Sequence, residues 1–99
     1  MNTSHDIRWK QRFANFEKAF TFLDNVLQIK QPSALEEAGI VQAFEFTFEL
    51  AWKTLKDYLA ANGVDAQFPR DVVKQAFHYA LIADGALWLE MLKKRELDG

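Results

Sequence analysis

The stretch Val41–Leu59, VQAFEFTFELAWKTLKDYL, constrains the fold of this chain more than any other. At about 100° per residue, Val41, Phe44, Phe48, Ala51, Trp52, Leu55, Tyr58 and Leu59 fall on one broad face. Gln42, Glu45, Glu49, Lys53 and Lys56 line the other side. That separation specifies an amphipathic helix. Phe46 and Leu50, four residues apart, depart from it and form a small apolar patch beside the polar stripe. A helix with one wide and one narrow apolar face touches two different things. Phe46 and Leu50 are therefore expected at an interface.

The flanking segments extend the helical reading. A first helix is expected from about Asp6 to Gln28, with Trp9, Phe13, Phe16, Phe20, Leu23 and Leu27 forming a narrow seam of the kind found in antiparallel bundles. Ile7, Phe22 and Ile29 lie on roughly the opposite side, either exposed or as a second contact face. Pro32 ends that helix, because the residue before a proline avoids the α conformation. Ser33 and Glu36 have the spacing of a capping box, in which each side chain satisfies the other's backbone N–H. A short helical turn over Ala34–Ala38, bent at Gly39, should lead into the long helix from Ile40, which Asn62-Gly63 closes. Pro69 suits the first turn of a third helix carrying Val72, Val73, Ala76, Phe77 and Ala80 on one arc. A fourth helix begins near Ala86 with Leu87, Trp88, Met91 and Leu92 on one face. The chain reads as an all-α, up-and-down four-helix bundle with a shortened C-terminal helix, forming a single domain over residues 1–99.

Helix lengths sharpen the interface expectation. The long helix should span roughly 30 Å beyond Gly39, and the two C-terminal helices about 18 Å each. The long pair then keeps apolar surface that another chain must cover. A homodimer or a complex with another chain is expected, using Phe46 and Leu50, with Phe22 as a further candidate.

Composition narrows the chemistry. The hydrophobic share of 49% and aromatic share of 14% supply a core and exclude a disordered chain. Twelve basic and fourteen acidic residues give a net charge of −2, so no global field points to nucleic acid or to a membrane surface. With no Cys, thiolate catalysis and Cys-based zinc sites are out, and His5 and His78 are too few for a metal cluster. No apolar run is long enough to span a membrane or act as a signal peptide, so the expected location is the cytoplasm. Neither a cofactor nor a metal is expected.

Three polar residues are candidates for ligand binding. Glu45 and Glu49 lie one turn apart; they could share a proton or a metal, or Glu49 could simply pair with Lys53 four residues on. Arg95 follows Trp88, Met91 and Leu92 at helical spacing and so shares their inward face. Its side chain either reaches solvent along the rings or turns its guanidinium into a cleft that could hold phosphate. His78, Tyr58 and Tyr79 read as surface or packing residues. No nucleophile–base–orienter set or phosphate-cradling glycine loop is present, so the residues alone describe a binding module and not a free-standing enzyme.

The segments RWKQRFANFEKAF at Arg8–Phe20, QAFEFTFELAWKTLKDYL at Gln42–Leu59, PRDVVKQAF at Pro69–Phe77 and the pattern DG-A-L-W-L-E-M-L at Asp84–Leu92 give the chain a family likeness. It resembles the nucleotidyltransferase substrate-binding proteins, a branch of the HEPN superfamily, most specifically at Phe44–Lys53. The resemblance implies a homodimeric four-helix bundle that associates with a separate minimal nucleotidyltransferase, which carries the chemistry, with nucleotide or RNA as ligand classes. Related pairs are toxin–antitoxin systems in which the HEPN chain is a ribonuclease silenced by addition of AMP to a tyrosine. HEPN ribonucleases use an Arg followed a few residues later by His, and Arg95 matches that Arg. After it this sequence reads Glu96-Leu97-Asp98-Gly99, without the His or the Tyr, which implies that no catalytic set is intact here. Phe68 also stands where a Ser cap often precedes the Pro-Arg-Asp of the third helix.

Overall fold

The computed structural model describes residues 3–98, with side chains over 7–95. The side chain of His5 and those of Glu96–Asp98 lie outside what is described, as do Met1, Asn2 and Gly99. Four helices follow in order: α1 (Thr3–Val26), α2 (Ala34–Ala61), α3 (Pro69–His78) and α4 (Gly85–Asp98). There is no strand among the described residues. Each helix packs on the next in sequence, giving an all-α four-helix bundle.

The helix ends follow local chemistry. Ser33 accepts a hydrogen bond from the Glu36 N–H at 3.1 Å, and the Glu36 carboxylate accepts one from the Ser33 N–H at 3.0 Å. Hydrogen bonds from the Ser33 backbone and hydroxyl hold the Glu36 carboxyl below its ordinary range. This capping box starts α2 at Ala34, and the helix runs through Gly39 without the expected bend. A solvent-facing glycine costs a helix only about 1 kcal/mol, too little to break one of 28 residues. Gly63 takes φ 81°, the left-handed conformation that lets the chain leave α2. Pro69 opens α3, where Phe68 occupies the cap position without a side-chain hydrogen bond. Ala80 adopts φ 61° in the turn after α3 and so leaves the apolar arc in which the sequence placed it. At the start of α4, the Asp84 carboxylate accepts from the Leu87 N–H at 3.0 Å. A Cβ on Gly85 would lie 3.1 Å from the Phe77 ring, so a larger residue there would push that ring back by a few tenths of an ångström.

The core gathers around the second half of α2. Phe48, Trp52 and Leu59 bury with Ala66, Val72 and Leu92, and Leu55, Val64, Trp88 and Met91 pack against them. Phe48 and Trp88 are tilted rings 5.8 Å apart. Trp9 meets Tyr58 edge-on at 5.0 Å, which makes Tyr58 a packing residue. At about 1.5 Å per residue, α2 is ~42 Å long and α1 ~36 Å, against ~15 and ~21 Å for α3 and α4. The molecule measures 49 × 25 × 22 Å, because the α1–α2 hairpin reaches past the short pair.

The expected seam of α1 is only partly used. Leu23 is buried and Trp9 and Phe16 are half-buried, but Phe13, Phe20 and Leu27 are exposed. The face turned to α2 instead carries Arg12, Ala19 and Leu23. Arg12 Nη1 lies 3.1 Å from Asp57 Oδ2, and the Thr47 hydroxyl donates to the Ala19 carbonyl at 3.2 Å as well as to Ala43 at 2.7 Å. These polar contacts and the small Ala19 and Ala43 side chains let the helices approach on that face. The neighbouring aromatic edge is left outside. Val41, Phe77 and Leu87, also expected inside, are exposed as well.

Candidate functional site: a groove between α1, α2 and α4

One turn of α2 carries both Glu45 and Glu49, and α4 brings Arg95 against Glu49. Arg95 Nη2 lies 2.5 Å from Glu49 Oε2, Lys53 Nζ 3.0 Å from Glu49 Oε1, and the Trp52 indole N–H donates to Glu49 Oε2 at 3.1 Å. Glu49 therefore faces three donors from two helices. Burial on its own would raise the Glu49 carboxyl, but the hydrogen bonds from Lys53 and Trp52 and the charges of Arg95 and Lys53 outweigh it and hold the group below its ordinary range. A carboxylate kept ionised in this way is a poor partner for proton sharing with Glu45. The i, i+4 pairing with Lys53 is the structural reading the sequence offered. The Arg95 contact is new. Between the two orientations considered for Arg95, neither describes it fully: its side chain is inward but its guanidinium is already held by a carboxylate.

Glu45, Lys94 and Arg95 line a groove whose walls are Leu23, Leu27, Ile40, Val41 and Phe44, with a volume of about 270 Å³. It is an apolar slot with one carboxylate and two cations at its rim. Small-molecule sites have this composition, although this volume falls just below their usual range. Among the described residues, no group of three His, Asp or Glu side chains is placed to hold a metal ion.

The interface candidates also come together. Phe22 of α1 and Phe46 of α2 flank a second groove of about 370 Å³, floored by Ala19, Gly39, Ala43 and Thr47. Phe46 is 63% exposed and Phe22 52%. Leu50, one turn along α2, is half-buried and does not line it. His78 is exposed and stacks edge-on with Tyr79, in keeping with a surface residue. Sequence reasoning passed over Asp57 and Arg12, a carboxylate buried in the hairpin and the cation that meets it. The only signal for them was a charge sitting between Leu55 and Leu59 on a largely apolar helix.

The geometry defines an all-α bundle of two long and two short helices, with a charged-rim groove and an uncovered apolar side on the long pair. Residues 11–98 match the family described as nucleotidyltransferase substrate binding protein like, and the chain belongs to that family. It is also similar to a protein of Haemophilus influenzae named probable ribonuclease HepT, at 29% identity over 75 residues. That match covers 68% of this chain and 51% of the relative, so the chain aligns with about half the relative's length. The relative supports the HEPN connection that the motifs suggested. No helix among the described residues is long and apolar enough to cross a membrane.

Proposed function

We propose that this chain, as one helical domain over residues 1–99, is the non-catalytic substrate-binding or partner subunit of a two-component minimal nucleotidyltransferase of the cytoplasm and works as a homodimer. The observation that carries the reading is the pairing of a family match over residues 11–98 with an uncovered apolar groove at Phe22 and Phe46. An α-helical hairpin longer than the helices covering it leaves a surface that a second chain can bury. Arg95, Glu45 and Glu49 are then the residues for substrate: an anionic group entering the groove would take Arg95 from Glu49, leaving Glu49 to Lys53 and Trp52. Co-expression with a small nucleotidyltransferase encoded beside this chain tests it. A stoichiometric complex that survives gel filtration is expected, and full separation of the two proteins would refute the partner role.

A second reading is favoured by one specific observation, the similarity to a protein named as a probable ribonuclease. On it, the chain belongs to a HEPN-type toxin ribonuclease of a toxin–antitoxin pair, with Arg95 matching the family Arg and the catalytic His absent from this sequence. Cleavage of single-stranded RNA by the 99-residue chain, lost in Arg95→Ala, would establish this reading over the first. Intact RNA after incubation with the chain is the outcome expected from the substrate-binding role.

A further inference from the structure

At the opposite end of the α1–α2 hairpin from the Arg95 groove lies a larger cavity of about 470 Å³. Arg8 and Arg12 reach it from α1, Lys56 and Asp57 from α2, and Asp65 and Gln67 from the connection to α3. Two features set it apart from an ordinary charged surface. Arg8 and Lys56 have no ion-pair partner among the described residues, and three cations against the carboxylates of Asp57 and Asp65 leave the lining with a net positive charge. Arg12 is held in place by Asp57, whose side chain is only 8% exposed, so one cation is fixed at the wall by a buried carboxylate. The remaining wall is backbone and small side chains, including Ala60, Gly63 and Ala66, which leaves room for a ring.

The charges are distributed by element. The cations stand on the two helices, whereas Asp65 stands on the connection, where Gln67 donates a hydrogen bond to its carboxylate. An anion between the helices could therefore be joined to a group that donates hydrogen bonds toward Asp65. A phosphate group matches the cationic side, since Arg and Lys both bind it well. Vicinal hydroxyls match a carboxylate acceptor. The volume falls within the range of small-molecule sites.

We propose that this cavity binds a ribose 5-phosphate unit, with phosphate between Arg8, Arg12 and Lys56 and the sugar hydroxyls donating to Asp65. The proposal does not depend on the partner reading, because the site is complete within one chain. It is tested on the full 99-residue protein by amide chemical-shift titration with ribose 5-phosphate, AMP, adenosine and inorganic phosphate at constant ionic strength. Ribose 5-phosphate and AMP are expected to bind saturably and to shift amides around Arg8, Lys56 and Gly63–Gln67, while adenosine does not bind. Tighter binding of AMP assigns the site to nucleotides, and equal binding assigns it to the free sugar phosphate. Arg8→Gln and Lys56→Gln, both at surface-accessible positions, should each weaken binding about tenfold, and Asp65→Asn should weaken ribose 5-phosphate but not inorganic phosphate. Arg95→Gln should leave the affinity unchanged. Absence of saturable binding in the millimolar range, inorganic phosphate binding as tightly as ribose 5-phosphate, or shifts centred on Lys94 and Arg95 would overturn it.

Discussion

Removing Arg12 should destabilise the protein far more than loss of a surface cation would. Its partner Asp57 is a carboxylate in the packed face between α1 and α2, with a side chain 8% exposed, and the Asp57 Oδ2 atom accepts no hydrogen bond. The 3.1 Å approach of Arg12 Nη1 therefore compensates it by charge and not by an aligned N–H. Breaking a fully buried pair from one side costs about 3–5 kcal/mol. Arg12 is 36% exposed, so water already screens part of the interaction, and about 2–3 kcal/mol is the value expected for Arg12→Ala. For a domain of this size each kcal/mol lowers the melting temperature by about 5 °C, so thermal unfolding followed by circular dichroism should show a drop of about 10–15 °C. The double variant Arg12→Met, Asp57→Leu should recover most of that loss, because it removes the buried charge together with its partner. A drop of less than about 2 °C for Arg12→Ala, or a double variant no better than the single one, would refute the claim that Asp57 is a buried charge dependent on Arg12.

Three further outcomes follow from the same contacts. Leu92 is 1% exposed and joins α4 to the core, so Leu92→Ala should cost about 3 kcal/mol in urea unfolding; a loss below about 1 kcal/mol would place α4 outside the cooperative core. Ser33→Ala removes the hydroxyl of the capping box and should cost about 1 kcal/mol, with proton exchange in the first turn of α2 rising most. The folded-state carboxyl of Glu49 is held below its ordinary value, so its contribution is fully present above the ordinary carboxyl range and is lost as pH falls through the depressed value. Acid titration of stability should accordingly show a steeper fall below about pH 4.5 for the native chain than for Glu49→Gln, and identical slopes would contradict the pairing with Arg95.

Much of the backbone was readable because it is decided locally. The capping box at Ser33, the left-handed exit at Gly63 and the proline start of α3 each depend on a few adjacent residues. The face of α2 that carries Phe48, Trp52 and Leu59 follows from period alone. Rotation of α1 did not, because Trp9, Phe13, Phe16, Phe20, Leu23 and Leu27 form a consistent stripe that outweighs a single Arg12 in any periodic count. That cation nevertheless lies on the face that meets α2, where it reaches Asp57 and where Ala19 accepts from Thr47. The meeting of Arg95 with Glu49 was hidden for a different reason. It depends on the register between α4 and α2, which is set through two connections and α3, and no spacing within the sequence encodes it. Phe22 and Phe46 were visible as misfits of their own helices, but their sharing of one groove needed the hairpin to be closed.

The proposed function requires the exposed apolar groove on the α1–α2 hairpin to be an interface between copies of this chain. Light scattering coupled to gel filtration, at micromolar concentration and with no other protein present, tests it most directly. The expected mass is twice 11.5 kDa, falling to 11.5 kDa in Phe46→Glu with helical content unchanged. A native chain that elutes at 11.5 kDa, or a dimer that Phe46→Glu leaves intact, would contradict it.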